Sequence, residues 1–515
     1  MPRARSTRKW LIALAALPLI GGCVVGPRYQ RPALPPAHAY SPARLPPSTV
    51  SVAGVAAGAS QSISAAHSIC AQWWTLYRSP ALDRLIERSF AANPSIDAAV
   101  AALKEAQENV YAQRGYFYPT VQASYQGERT KLSGNTAASS APGVQGNGEN
   151  ITPLGPAQPV TYNFHTAQLT VGYAPDVFGA NRRQVESLQA QAAAARFQLE
   201  AAYVTLASNV VAAAIQEASM RAQIAAVRTI VRSNQRSLRI LRDQRRLGYA
   251  ARLDVAQQEL ALAQARALLP PLERQLEQTR DLIRVLAGNA PDHDVPETFT
   301  LDALHLPRQL PLSLPSQLIE QRPDVLAAEE QVRSASAQVG VAVANRLPQF
   351  SLTAALGGQA TSITQLFGNA GTFWSVLGSA SQPLFDAGTL KHRQRAAEQA
   401  LAQTAALYRV TVLTAFQNVA DTLHALYADA DTLRSALAVE HAARVALDVS
   451  RRQFQAGYAN GLAVLSAQQA YQQAVIPRVQ AQAARLGDTA ALFQALGGGW
   501  WHGSADSKRG PADGR

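Results

Sequence analysis

The sequence predicts a mainly α protein with a β-barrel part, in which long antiparallel coiled-coil helices carry two β-hairpins per chain. Three observations predict it. Between Val412 and Leu437 the apolar positions Val412, Phe416, Val419, Leu423, Leu426, Ala430, Leu433 and Leu437 alternate steps of four and three. That heptad spacing keeps one apolar seam against a neighbouring helix and imposes a left-handed supercoil. Two other stretches, Val121 to Gln126 and Phe350 to Ala354, alternate apolar and polar residues with the period of a strand. The third observation is that the chain contains its own plan twice.

The helix carrying the seam is expected from Gly388 to Gly457. At about 1.5 Å per residue, some seventy residues rise about 105 Å, far more than a globular core can use, so the helix needs partners of similar length. Low aromatic content and an abundance of Ala, Gln, Leu and Arg among the 515 residues suit such packing.

From the N-terminus, residues 1–22 combine a basic start, an apolar run from Trp10 to Ile20 and small residues before Cys23, the layout of a secretory signal peptide. Ile20, Gly21, Gly22 and Cys23 resemble a bacterial lipobox, in which cleavage precedes a cysteine that receives lipid. Val24 stands where inner-membrane retention would call for aspartate, so the outer membrane is expected. Removing Arg3, Arg5, Arg8 and Lys9 with the signal reduces the formal charge from +12 to +8. The excess is spread along helices without an aromatic-interleaved basic patch, which argues against nucleic-acid binding. Cys70 is the only other cysteine, so no internal disulfide is expected once Cys23 is modified. Residues 23–72 read as a lipidated, extended Pro/Ala/Ser-rich arm.

The first repeat is expected over 73–287 and the second over 317–500. Pro94 and Pro119 are 25 apart, as are Pro323 and Pro348, and between them Ile96, Ala98, Lys104, Ala106 and Val110 fall on Val325, Ala327, Arg333, Ala335 and Val339. Each proline pair opens and closes a helix. Hairpins follow at 119–175 and 348–384, the first with a loop about twenty residues longer, which turns an offset of 229 into 209 at the second match: Gly248, Tyr249, Ala250, Leu253 and Val255 on Gly457, Tyr458, Ala459, Leu462 and Val464. Gly248 and Gly457 read as helix C-caps at the tips of two helical hairpins, a structural need as compatible with them as a working tip. Long helices near 178–247 and 388–456 match in length the stacked pairs 94–118 with 250–287 and 323–346 with 461–496. A Pro-rich connector occupies 288–316, and the tail 501–515 is expected to be disordered.

No mature segment has 18 consecutive apolar residues, so no transmembrane helix is expected. Strands in lipid must close into a barrel, and four cannot, so the chain must share a barrel among copies. The soluble alternative is a small sheet capping a coiled coil. No metal-ligand spacing, G-x-S-x-G or phosphate loop is present, so no enzyme and no cofactor are expected; conduction remains.

Several motifs carry a family resemblance over nearly the whole chain: the lipobox with GPRYQRP (Gly26–Pro32), WWTLYRSPALDRLI (Trp73–Ile86), YAPDVFGANRR (Tyr173–Arg183), LIEQRPDVLAAE (Leu318–Glu329), PLFDAG (Pro383–Gly388) and ALGGGW (Ala495–Trp500). The chain resembles the TolC-like outer membrane efflux proteins, in the lipoprotein branch that partners resistance-nodulation-division pumps. The resemblance implies a homotrimer with a twelve-stranded outer membrane β-barrel continued by a periplasmic α-barrel, a periplasmic adaptor and an inner-membrane pump as partners, and lipid on Cys23. It also implies a gate at the helical tips. Leu462 matches the apolar ring position, while Ser466 stands where many relatives carry aspartate. Asp254, at the equivalent tip of the first half, is the substitute candidate, or else a solvated or Arg252-paired carboxylate. Adaptor docking is expected near Gly248, Tyr249, Gly457 and Tyr458. The alternatives in function are a type I secretion duct for proteins and a structural envelope lipoprotein.

Overall fold

The computed structural model describes residues 24–33, 39–42, 45–64, 69–132 and 160–500. Cys23, the signal segment, the loop 133–159 and the tail 501–515 lie outside them. Two compact units divide the chain.

The first unit gathers the described residues within Met1–Gln30, Ala106–Ala190 and Arg333–Gln403. Its centre is a four-stranded antiparallel sheet of β2 (Thr120–Leu132), β3 (Val160–Tyr173), β5 (Gln349–Ala360) and β6 (Thr372–Ser381), in that order. The hairpin β2–β3 comes from the first half and β5–β6 from the second, and β3 pairs with β5 to join them. Two helices whose starts or ends lie in this unit are tied by polar contacts: Ser187 of α3 (Ala180–Arg246) and Ser334 of α7 (Pro323–Ala344) approach to 2.8 Å, and Gln338 donates to Ser187 Oγ at 2.9 Å.

The second unit gathers Arg31–Glu105, Gln191–Val332 and the described part of Thr404–Arg515. Its helices begin with α1 (Pro80–Ala92) and α2 (Pro94–Gly115), each opened by a proline whose missing N–H is one that a first helical turn leaves unpaired anyway. The long helices α3 and α8 (Thr389–Gln455) have 67 residues each. In α8 the buried seam runs Tyr408, Val412, Ala415, Val419, Leu423, Leu426, Ala430 and Leu433. The heptad rhythm is kept, but Ala415 occupies it where the sequence pointed to Phe416. Phe416 lies beside the seam and packs edge-on against Tyr40 of the N-terminal arm, with ring centroids 6.3 Å apart.

Where one helix was expected over 250–287 there are two, α4 (Arg252–Ala267) and α5 (Leu269–Leu286). The break falls just before Pro270 and Pro271, which remove two consecutive N–H donors. A lone Pro477 inside α9 (Gly461–Ala495) removes only one, and that helix continues. The arm is also more built than an extended surface strand: β1 (Ser62–Ser64) pairs in parallel with β4 (Gln309–Pro311) of the connector, just before the short helix α6 (Pro315–Gln321).

One helix among the described residues, α3, is long and apolar enough by composition to cross a bilayer, contrary to the expectation drawn from unbroken apolar runs. Half of its most apolar window is buried, and the helix carries fully buried Glu217, paired with Arg221 at 2.7 Å and Arg280 at 3.3 Å. Those are properties of a core helix.

Candidate functional site

The register of the sheet sorts its side chains onto two faces. One face presents, in cross-strand rows, Val121, Val171, Ala354 and Val376, then Ala123, Leu169, Leu356 and Trp374. The other presents Gln122, Thr170, Ala355 and Ser375, then Thr120, Gly172, Thr353 and Leu377. In β5 the apolar face runs from Phe350 to Gly358, about 27 Å along the strand at roughly 3.4 Å per residue. Aromatic rings mark both ends, Tyr173 and Phe350 at one and Tyr125 and Trp374 toward the other. Beyond Tyr125, whose hydroxyl meets His165 Nδ1 at 2.9 Å, the same face turns polar with Arg129 and Asn163. Val121, Leu356, Trp374 and Val376 are all exposed in the single chain. Such a band, apolar, exposed and bounded by aromatics, is suited to lipid.

Each strand-to-helix junction is closed by an aspartate. Asp176 accepts from the backbone N–H of Asn181 and Arg182 at 2.9 and 3.0 Å, opening α3. Asp386 accepts from Gly388 and Leu390, both at 2.8 Å, opening α8; the backbone N–H of Leu390 first, then that of Gly388, lower its pKa below the usual carboxylate value. The segment after Cys23 is fastened at the first junction. Val25 N–H donates to Phe178 O at 3.3 Å, and Arg183 Nε donates to Val25 O at 3.0 Å. Gly26, with φ of +96°, is needed here: a Cβ on it would come 2.4 Å from Gly340 Cα.

At the helical tips the two halves use the same cap. Gly248, with φ of +83°, donates to Arg245 O at 3.0 Å while Tyr249 N–H reaches Gln244 O at 2.8 Å. Gly457, with φ of +78°, and Tyr458 repeat this with Phe454 O at 3.1 Å and Gln453 O at 2.8 Å. This pair of bonds requires a left-handed residue at the glycine and throws the next residue outward. Tyr249 and Tyr458 are accordingly 82% and 87% exposed. Leu462 and Ser466, four residues apart on α9, share a helical face and are exposed. Asp254 is half-buried; its carboxylate accepts from Ala251 N–H at 3.0 Å at the start of α4. In the chain it thus caps a helix.

Sequence reasoning missed a buried polar node above the tips. Asn234 Oδ1 of α3 accepts from Gln258 of α4 at 2.8 Å and from Gln468 of α9 at 2.6 Å, all three being buried. Around it Val227, Val231 and Leu238 form an apolar cluster with Val255 and Leu262. The signal was available: Val227, Val231, Asn234, Leu238 and Leu241 keep the step of four and three, and an asparagine in such a seam fixes register.

Comparison with known proteins matches the outer membrane efflux protein family over residues 85–289 and 314–498. The pyoverdine export outer membrane protein OpmQ of Pseudomonas putida is 28% identical over 88% of this chain and 94% of its own length. The probable efflux pump outer membrane protein TtgC of the same species is 27% identical over 96% of each. Among solved structures the outer-membrane channel OprN superposes with a TM-score of 0.79 at 26% identity, covering 93% of this chain and all of that one.

Proposed function

The chain belongs to the outer membrane efflux protein family, and from that footing we propose that three copies close one twelve-stranded barrel and export small molecules through it. It is an outer membrane efflux channel protein whose long helices form the periplasmic part. One observation carries the trimer: the sheet has an apolar, exposed face and two edges, β2 and β6, that pair with nothing among the described residues. In lipid those edges must be paired, and β6 of one copy meeting β2 of the next repeats the antiparallel order. Eight strands from two copies would fill with side chains, so three copies are the smallest number that leaves a duct. Exposed Leu407, Val410 and Leu413 on α8, beside its buried seam, supply apolar surface for neighbouring helices of the same assembly. Cys23 carries the lipid anchor; fastening of Val25 and Gly26 at the β3–α3 junction supports this by holding the adjacent residues beside the strands. No other cofactor and no catalysis are proposed.

The relatives' names, pyoverdine export and efflux pump, support small molecules over whole proteins as cargo. Planar-bilayer conductance of the detergent-extracted protein together with its mass tests the channel: a trimer with rare, small openings is expected, and a monomer without conductance would leave only the helical architecture. Leu462, with Ser466 and Asp254 nearby in sequence to the two tips, forms the periplasmic gate when three copies converge. Leu462→Ala is expected to raise single-channel conductance severalfold, and unchanged conductance would remove Leu462 from the gate.

The tips dock a periplasmic adaptor that links the channel to an inner-membrane pump of the resistance-nodulation-division type. Tyr249 and Tyr458, held outward by the caps at Gly248 and Gly457, are the contact points. Between Arg221 and Arg246, α3 carries eight arginines, of which Arg221, Arg228, Arg242 and Arg246 are paired with Glu217, Glu273, Glu259 and Asp243; exposed Arg232, Arg236, Arg239 and Arg245 remain as a basic surplus that an acidic adaptor face is expected to fit. Single cysteines at positions 249 and 458 should crosslink to the adaptor in cells that express the cognate pump, and the absence of any adduct there would refute docking at the tips.

A further inference from the structure

In the second unit, away from the tips, α8 and α9 bring two carboxyl groups and one arginine together beneath the N-terminal arm. Arg485 of α9 is fully buried. Its Nη1 donates to Ala57 O at 2.9 Å, and its Nη2 donates to Thr49 Oγ1 at 2.9 Å, Val50 O at 3.3 Å and Ala59 O at 2.8 Å. One guanidinium thus holds both ends of the loop 49–59. Gln61 completes the clasp, donating to Thr489 Oγ1 at 3.0 Å and to Pro307 O at 3.1 Å.

Behind this guanidinium lies Asp429 of α8. Its Oδ2 is buried and receives no N–H or hydroxyl donor among the described residues. The group it faces is the carboxyl of Asp488, one turn beyond Arg485 on α9. Two carboxylate oxygens can share a hydrogen bond only when a proton lies between them. With that proton the cluster is balanced, one positive guanidinium against one negative charge shared by the pair. Without it, two negative charges on adjacent helices face each other and a single cation. Among the described residues, the charged and titratable groups turned toward the pair are Arg485 from α9 and the Tyr77 phenol from the turn Trp73–Tyr77, which donates to Leu486 O at 2.8 Å. Among its described residues the arm brings to Arg485 carbonyls and the Thr49 hydroxyl. A metal ion is disfavoured, since only two carboxylates are present and a guanidinium stands beside them.

We propose that Asp429 and Asp488 form a proton-binding site that controls how tightly Arg485 holds the N-terminal arm. Burial first, then the hydrogen bond and charge of Asp488, raise the Asp429 pKa from 3.8 to about 7, with Arg485 opposing. Because the folded pKa is above the unfolded one, the folded chain binds the extra proton between the two values. Stability from this group therefore falls as pH rises from about 4 and the loss is complete above about 7. Once deprotonated, Asp429 draws Arg485 toward itself and repels Asp488, which loosens the arm. The site takes a proton at mildly acidic pH and releases it at mildly alkaline pH, independently of whether the channel exports small molecules or proteins.

The test is hydrogen exchange of residues 49–61 in the purified full-length protein at about pH 6 and about pH 8.5, corrected for the intrinsic dependence of exchange on pH. Protection in the wild type should fall severalfold at the higher pH. Asp429→Asn, which supplies a permanent amide donor to Asp488, should hold the loop equally at both, and should abolish an infrared band of a protonated carboxyl seen in the wild type at about pH 6. Should Asp429→Asn fail to fold, Asp488→Asn serves in its place with the same expected loss of pH response. An identical pH response in wild type and variant overturns the proposal, and so does a wild-type response that follows added calcium instead of pH.

Discussion

Val376→Arg is expected to abolish trimer formation in the outer membrane, while Leu377→Arg, one residue along the same strand, leaves it intact. In the single chain the two side chains are alike, 71% and 63% exposed and both apolar. Register alone separates them. Val376 lies in the row with Val121, Val171 and Ala354, and Leu377 in the row with Thr120, Gly172 and Thr353. On the apolar face an arginine meets hydrocarbon at a cost of about 2–4 kcal/mol per copy near the midplane, and a trimer multiplies that by three. On the other face, the lumen side of the proposed barrel, it would meet water, and the expected effect is on ion selectivity, toward anions. Heat-resistant trimers in membrane extracts, followed by reversal potentials for the Leu377 variant, read both outcomes. Equal assembly of the two variants would show that the apolar face is not the lipid face, and would return the sheet to a soluble cap.

The strands were legible because a half-buried strand and a lipid-facing strand obey the same alternation. What the alternation leaves open is the environment of the apolar face; the pairing of β3 with β5 adds only that two hairpins share one continuous apolar surface, the kind of surface that marks contact with lipid or another chain. The long helices were legible through heptads, yet the seam at Ala415 in place of Phe416 shows where such reading slips. A phenylalanine satisfies a seam position by hydrophobicity, but here Tyr40 of the distant arm offers it a better partner, and no local pattern encodes that. The tips were legible because Gly-Tyr repeats at an offset of 209 and a left-handed cap needs glycine. Asp254 was read as a gate residue, or else a solvated or arginine-paired carboxylate; in the single chain its carboxylate accepts from Ala251 N–H, a local cap that the sequence reading did not include. Polar groups that bridge distant segments, Asn234 with Gln258 and Gln468, or Arg485 with the arm, leave only an oddly placed polar residue in an apolar stripe.

Arg485 is where that kind of residue carries the largest consequence. Arg485→Ala is expected to destabilise the second unit by about 3–5 kcal/mol, the range for removing one partner of a buried charged cluster. Three backbone carbonyls, Val50, Ala57 and Ala59, lose their donor, and Asp429 loses the cation that opposes its burial. The arm should then become a substrate for limited proteolysis between Thr49 and Gln61 while the helices remain protected, since the seam of α8 makes no use of the guanidinium. Arg485→Lys separates charge from geometry. An ammonium keeps the charge beside Asp429 but cannot present two parallel forks of donors to both ends of the loop, so cleavage should be intermediate between the wild type and the alanine variant. Cleavage of the lysine variant at the wild-type rate would mean that the charge alone holds the arm. A destabilisation below about 1 kcal/mol for alanine, well short of the range for a broken buried charge cluster, would mean that water replaces the guanidinium without loss, and the arm would then owe its position to the β1–β4 pairing.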